Sequence, residues 1–121
     1  MTEFPPLLLA DFYKVDHVHQ YPDDLEMVYS NMTARGSRLE GIDYSISAGW
    51  QYIVKEYLIR QFFENFFLLP RDKAVGQYKR VVEAALGPIN TNHIGELHEV
   101  GWLPLHIKAI PEGMKVPLRV P

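Results

Sequence analysis

The sequence predicts an α+β fold: a small mixed β-sheet packed with about three to four helices. Three observations predict it. Apolar stripes at the helical period fill the middle of the chain, short β-rich runs flank them, and Pro- or Gly-containing turns separate the elements. The 121 residues read as one domain, 1–121, long enough to bury roughly two thirds of the unfolded surface.

Residues 1–6 form a lead-in in which Pro5 and Pro6 oppose helix. The apolar run 7–10 reads as a buried strand or extended segment that ends in Asp11. Asp suits a helix N-cap, since its carboxylate accepts from free backbone N–H groups. A helix is therefore expected over residues 12–21, stopped by Pro22. This order delivers Asp11, Tyr13 and Lys14 to the mouth of a helix, where a polar or anionic small molecule finds free N–H donors. An ordinary cap followed by surface residues fits the same pattern. Pro22, Asp23 and Asp24 make a turn, and residues 27–33 read as a strand with both faces partly covered. The loop 34–38 carries Arg35 and Arg38 beside Gly36 and Ser37. Guanidinium forks and loop N–H groups there suit an anion, although a plain solvated loop has the same composition.

A turn over residues 40–43 leads to a short strand at 44–47 and a helix starting near Ser47 or Ala48. Trp50, Ile53, Val54, Tyr57 and Leu58 form one apolar stripe of that helix, and Gly49 is expected to permit close packing at its start. Phe62, Phe63, Phe66, Phe67, Leu68 and Leu69 then crowd six large apolar side chains into eight positions. Internal core and exposed partner surface account for them equally. Pro70 opens the next helix, whose inner stripe is Ala74, Val75, Tyr78, Val81, Val82, Ala85 and Leu86, and Gly87-Pro88 ends it. A short helix over 92–100 turns Ile94 and Leu97 inward and stops at Gly101. Residues 103–110 read as a core strand, Pro111-Glu112-Gly113 as a turn, and 114–116 as a returning strand. Residues 116–121 carry neither cap nor polar tail and read as the interior of something longer.

Bulk chemistry narrows the function classes. A net charge of −3 lacks the basic excess of a nucleic-acid binder. With no cysteine there is neither a disulfide framework nor a thiolate metal site. No apolar stretch approaches a membrane span, and the start lacks the basic region of a signal peptide. A soluble cytoplasmic protein without a membrane or nucleic-acid partner is the expectation. The five histidines, 17, 19, 93, 98 and 106, do not fall at metal-ligand spacing with a carboxylate pair. There is no P-loop, dinucleotide glycine fingerprint or nucleophile elbow. The residues alone give an anion-friendly polar edge without a complete active site.

The stretch from Leu8 through Asp11, Phe12, Tyr13 and Lys14 to His17, followed by Gln20-Tyr21-Pro22 and Val28-Tyr29-Ser30, resembles the amino-terminal region of nicotinamide phosphoribosyltransferase. The likeness returns at Gly49-Trp50-Gln51-Tyr52-Ile53, at Leu103-Pro104-Leu105, and from Ile107 to Gly113. It implies the reaction of nicotinamide with phosphoribosyl pyrophosphate, with magnesium, to give nicotinamide mononucleotide and pyrophosphate in NAD salvage. It also implies an active site at a dimer interface, reached in trans by this segment. On the resemblance, Tyr13 stacks on the nicotinamide ring, Asp11 lies beside the same pocket, Arg35 helps hold the phosphates, and Lys14 belongs to the same motif. Phe12 departs from the pattern, standing where many relatives have Ser. The phosphoribosyl-binding barrel of the family, with its catalytic histidine and most phosphate ligands, has no counterpart in these 121 residues. The expected roles are therefore an enzyme part that works as a homodimer or beside a barrel-containing chain, or a free-standing non-catalytic dimerisation or regulatory module, or a truncated remnant.

Overall fold

The computed structural model describes residues 4–121; Met1, Thr2 and Glu3 of the expected lead-in lie outside the described residues. The chain is α+β, with its two longer α-helices and its small sheet in different compact units. One unit comprises the described residues through Val15 together with Tyr52–His106; the other comprises Asp16–Gln51 and Ile107–Pro121.

The helical unit forms where its sequence is most periodic. Helix α2 (Arg71–Leu86) starts from Pro70, whose carbonyl accepts the Lys73 and Ala74 N–H groups, with Asp72 in the first turn complementing the helix dipole. Gly87, at φ +80°, ends it by donating to the Glu83 carbonyl. Helix α3 (Asn92–Val100) occupies the predicted span and stops at Gly101, whose left-handed backbone an L side chain would strain. The two helices are joined by an Arg71–Glu99 ion pair at 3.1 Å. A Cβ on Gly95 would collide with the Arg71 guanidinium, so this glycine makes room for a side chain.

The core gathers Phe66, Ala74, Tyr78, Val82 and Ile94, with Phe66 1% and Val82 0% exposed. It settles the two readings of the phenylalanine cluster by dividing it. Phe62, Phe66, Phe67 and Leu69 pack inward, while Phe63 and Leu68 stay exposed. Phe66 meets Phe67 at 5.0 Å and the His98 ring at 5.2 Å, both edge-on, the geometry aromatic quadrupoles favour. His98 Nε2–H donates to the Leu69 carbonyl at 2.9 Å, tying α3 to the end of the aromatic run.

That run departs from the predicted α-helix. After the single α-turn α1 (Trp50–Tyr52), Ile53–Gln61 and Phe63–Phe67 are wound as π-helix. The i→i+5 winding is wider than an α-helix. It aligns Val54, Leu58, Phe62 and Phe66, four residues apart, on the covered side, and leaves the expected core residues Ile53 and Tyr57 exposed. Arg60 pairs with Glu56 and Glu64 on the outer face. Hydrogen bonds from Arg60 and Gln61 bring the Glu56 carboxyl down to about 2, well below the usual carboxylate range. In α2 the buried stripe is narrower than predicted, for Val81, Ala85 and Leu86 are exposed.

The other unit rests on hydrogen bonds. Strands β1 (Tyr44–Ile46) and β2 (Lys115–Pro117) pair antiparallel, Ser45 opposite Val116. Lys115 Nζ sits 3.8 Å from the Tyr44 ring centroid, a cation–π contact. Beyond the ladder, Leu118 N–H donates to Asp43 O at 3.0 Å, Ser47 N–H to Met114 O at 2.9 Å, and Gly113 N–H to Ser47 O at 2.7 Å. The Ile110 carbonyl accepts from Ser47 Oγ–H at 2.8 Å and Trp50 Nε1–H at 3.1 Å. Glu112 Oε1 accepts the Gln51 N–H at 3.0 Å, satisfying one of the free amides at the start of α1. Gly49 serves this junction by its φ of +82° and not by close packing, since a Cβ there would meet nothing within 4 Å.

Two predicted strands are absent. Residues 27–33 and 103–110 have no strand structure, with Tyr29 85%, Met32 93% and Leu105 56% exposed. Among the described residues, the backbone groups of 26–33 make no hydrogen bond within the chain. Their β-propensity finds no neighbouring strand to complete a ladder.

Phe66→Ala removes the best-buried aromatic of the helical core and is expected to lower stability by about 3–5 kcal/mol in urea or thermal unfolding. A loss below about 1 kcal/mol would mean that the core does not turn on this side chain.

Candidate functional site

The site predicted at residues 11–14 is built by a turn where a strand was expected. Pro6, with its ring-fixed φ, starts a short 3-10 helix, Pro6–Leu8, in which Leu8 N–H bonds Pro5 O and Leu9 N–H bonds Pro6 O. The apolar run thus curls, and Leu7 and Leu8 reach the helical core. A second 3-10 helix, Phe12–His19, follows in place of the α-helix expected through Tyr21. Its first hydrogen bond runs from Lys14 N–H to the Asp11 carbonyl at 2.9 Å. Lys14 Nζ lies 5.9 Å from the Tyr13 ring centroid. The structure therefore brings Asp11, Tyr13 and Lys14 together on one turn, all exposed, Tyr13 by 65%. They present an aromatic face, a cation and a carboxylate outward.

Phe12 turns elsewhere. With Phe4, Leu8, Gln77, Arg80 and Val81 it lines a cleft of about 430 Å³, to which none of the four predicted contact residues contributes. Phe12 gives that cleft part of its apolar wall.

Arg35 lies in the other unit, on the predicted loop, exposed. The peptide before it is anchored, because the Ala34 carbonyl accepts the Arg119 N–H at 2.9 Å. In the same loop Ser37 folds back on Leu39, its hydroxyl accepting from Leu39 N–H at 3.0 Å. Sequence reasoning missed the Arg119 contact, and no local signal marks it. Among the described residues, no three His, Asp or Glu side chains gather as a metal site, and no helix is long and apolar enough to cross a membrane.

The family model described as nicotinamide phosphoribosyltransferase, N-terminal domain, matches residues 6–107. A curated relative, the nicotinamide phosphoribosyltransferase of Acinetobacter baylyi, is 42% identical over 123 residues, covering 96% of this chain and 24% of its own length. The chain belongs to the nicotinamide phosphoribosyltransferase family and corresponds to its amino-terminal domain. It spans about a quarter of the length of that relative. No solved structure matches it.

Because Tyr13, Lys14 and Arg35 are exposed, Tyr13→Ala, Lys14→Ala and Arg35→Ala are each expected to leave unfolding stability within about 0.5 kcal/mol of the parent chain. A melting transition that moves well beyond this would assign the altered residue to the fold instead of to a ligand.

Proposed function

We propose that this chain is the amino-terminal part of a nicotinamide phosphoribosyltransferase, converting nicotinamide and phosphoribosyl pyrophosphate to nicotinamide mononucleotide and pyrophosphate for NAD salvage in the cytoplasm. The observation that carries the reading is the 42% identity across 96% of the chain to a transferase about four times as long. The exposed turn at 11–14 supports it: side chains that face out of their own unit are placed to act in a neighbouring one. Tyr13 offers an aromatic face for the pyridine ring, Asp11 lies at the same turn, and Lys14 adds a cation. Arg35 offers a guanidinium fork for phosphate. These contacts are made in trans, in a homodimer or with a barrel-containing chain.

The chain does not carry the chemistry alone. Departure of pyrophosphate requires preorganised positive charge and donors around the leaving group, and four outward side chains on two units do not enclose one. Magnesium belongs to the proposed reaction, but no cluster of three His, Asp or Glu among the described residues is suited to hold it. The residues here bind and orient; the bond-making groups come from the barrel.

The test is nicotinamide mononucleotide formation by the chain alone and by the chain mixed with the barrel portion of a relative. Product is expected only in the mixture, and Tyr13→Ala or Arg35→Ala is expected to lower it by about tenfold or more. A confirmed complex of the two chains without product would overturn the enzyme reading in favour of a dimerisation or regulatory module.

A further inference from the structure

Among the described residues, Arg119 is the one non-glycine residue with a positive φ, at +66°. An L side chain is disfavoured there, and such a conformation persists where its surroundings over-determine it. Here Leu118 N–H bonds the Asp43 carbonyl at 3.0 Å, and the next amide, that of Arg119, bonds the Ala34 carbonyl at 2.9 Å. The chain turns left-handed at residue 119 and lays its backbone against the peptide that precedes Arg35. The backbones that carry Arg35 and Arg119 are thereby joined, with Arg38 farther along the same loop.

The chain has carboxylates to spare, 15 Asp and Glu against 12 Lys and Arg. Elsewhere those carboxylates are used: Arg60 is paired with Glu56 and Glu64, and Arg71 with Glu99. Neither Arg35 nor Arg119 has a carboxylate partner among the described residues, and both are exposed. Exposed arginines carried on joined backbone and lacking carboxylate partners suit an anion with several acceptor oxygens, which forks of N–H donors bind with defined geometry.

We propose that Arg119 joins Arg35 in a two-arginine clamp for a phosphate group of the substrate. The clamp depends on Arg35 meeting substrate phosphates, as in the function proposed above, and adds a residue to that contact. It is a binding role only, with no bond made or broken by either arginine.

Arg119→Gly separates the side chain from the backbone. Glycine accepts the positive φ and keeps the N–H that bonds Ala34, so only the guanidinium is lost. The full chain is titrated with inorganic pyrophosphate and, separately, with ribose 5-phosphate, followed by amide NMR shifts. The parent chain is expected to bind at least one of them with a Kd of about 1 mM or tighter. Arg119→Gly and Arg35→Ala are each expected to weaken that binding by about tenfold, and Arg119→Lys by less, since charge remains without the fork. Which of the two anions responds tells whether the clamp takes the pyrophosphate or the 5-phosphate end. Unchanged binding in Arg119→Gly with loss in Arg35→Ala would overturn the clamp and leave the role of Arg35 standing. Unchanged binding in both variants, or no binding by the parent chain, would overturn the two together.

Discussion

The carbonyl of Ile110 accepts two side-chain hydrogen bonds, from Ser47 and from Trp50, across sequence separations of 63 and 60 residues. The unit formed by Asp16–Gln51 and Ile107–Pro121 depends on that closure. Val116 is the one buried residue among its described positions, so apolar burial contributes little to holding it. Bringing such distant segments together costs loop-closure entropy that grows only slowly with length, and each net hydrogen bond returns about 1 kcal/mol. Ser47, Trp50, Gln51, Gly113, Met114, Leu118 and Arg119 supply a row of such bonds, and the β1–β2 ladder sits inside the row. The loop that carries Arg35 is tied to the end of it. A proposed phosphate contact is thus positioned by backbone bonds more than sixty residues away in sequence.

The helical unit is organised by different physics. Phe66 and Val82 exclude water almost completely, and edge-on aromatic contacts with one hydrogen bond from His98 fix how α3 meets the aromatic run. Dense packing of this kind gives a defined platform. The 3-10 turn carrying Asp11, Tyr13 and Lys14 leaves that platform through Leu7 and Leu8, which pack on the core, so the side chains beyond them point outward from an anchored base.

How much of this was legible in the sequence follows from the range of the interactions. Helices α2 and α3 were readable because Pro70, Gly87 and Gly101 punctuate a clean 3.6-residue period. The turn at Pro111–Gly113 and the short strands near 44–47 and 114–116 were readable from local composition as well, but not their pairing with each other, since 114–116 was expected to return from a strand at 103–110. The π-winding over 53–67 was not, because a four-residue spacing of Val54, Leu58, Phe62 and Phe66 also fits an α-helix until hydrogen bonds are seen. Residues 27–33 and 103–110 carry strand composition, but strand formation needs a partner that composition does not name. The four candidate contacts named from the family motif over 8–17 and from the Arg35 loop lie on exposed segments. Arg119 stayed hidden because a left-handed arginine and a bond to Ala34 have no local signature.

Amide hydrogen exchange tests most directly whether the long-range closure holds the unit that carries Arg35. The amides of Ser47, Gln51, Gly113, Met114, Leu118 and Arg119 are expected to be protected together and to lose protection together in Ser47→Ala, while the α2 and α3 amides keep theirs. Exchange of those six amides at the unfolded rate in the parent chain would contradict the account, because the Arg35 loop would then have no anchor.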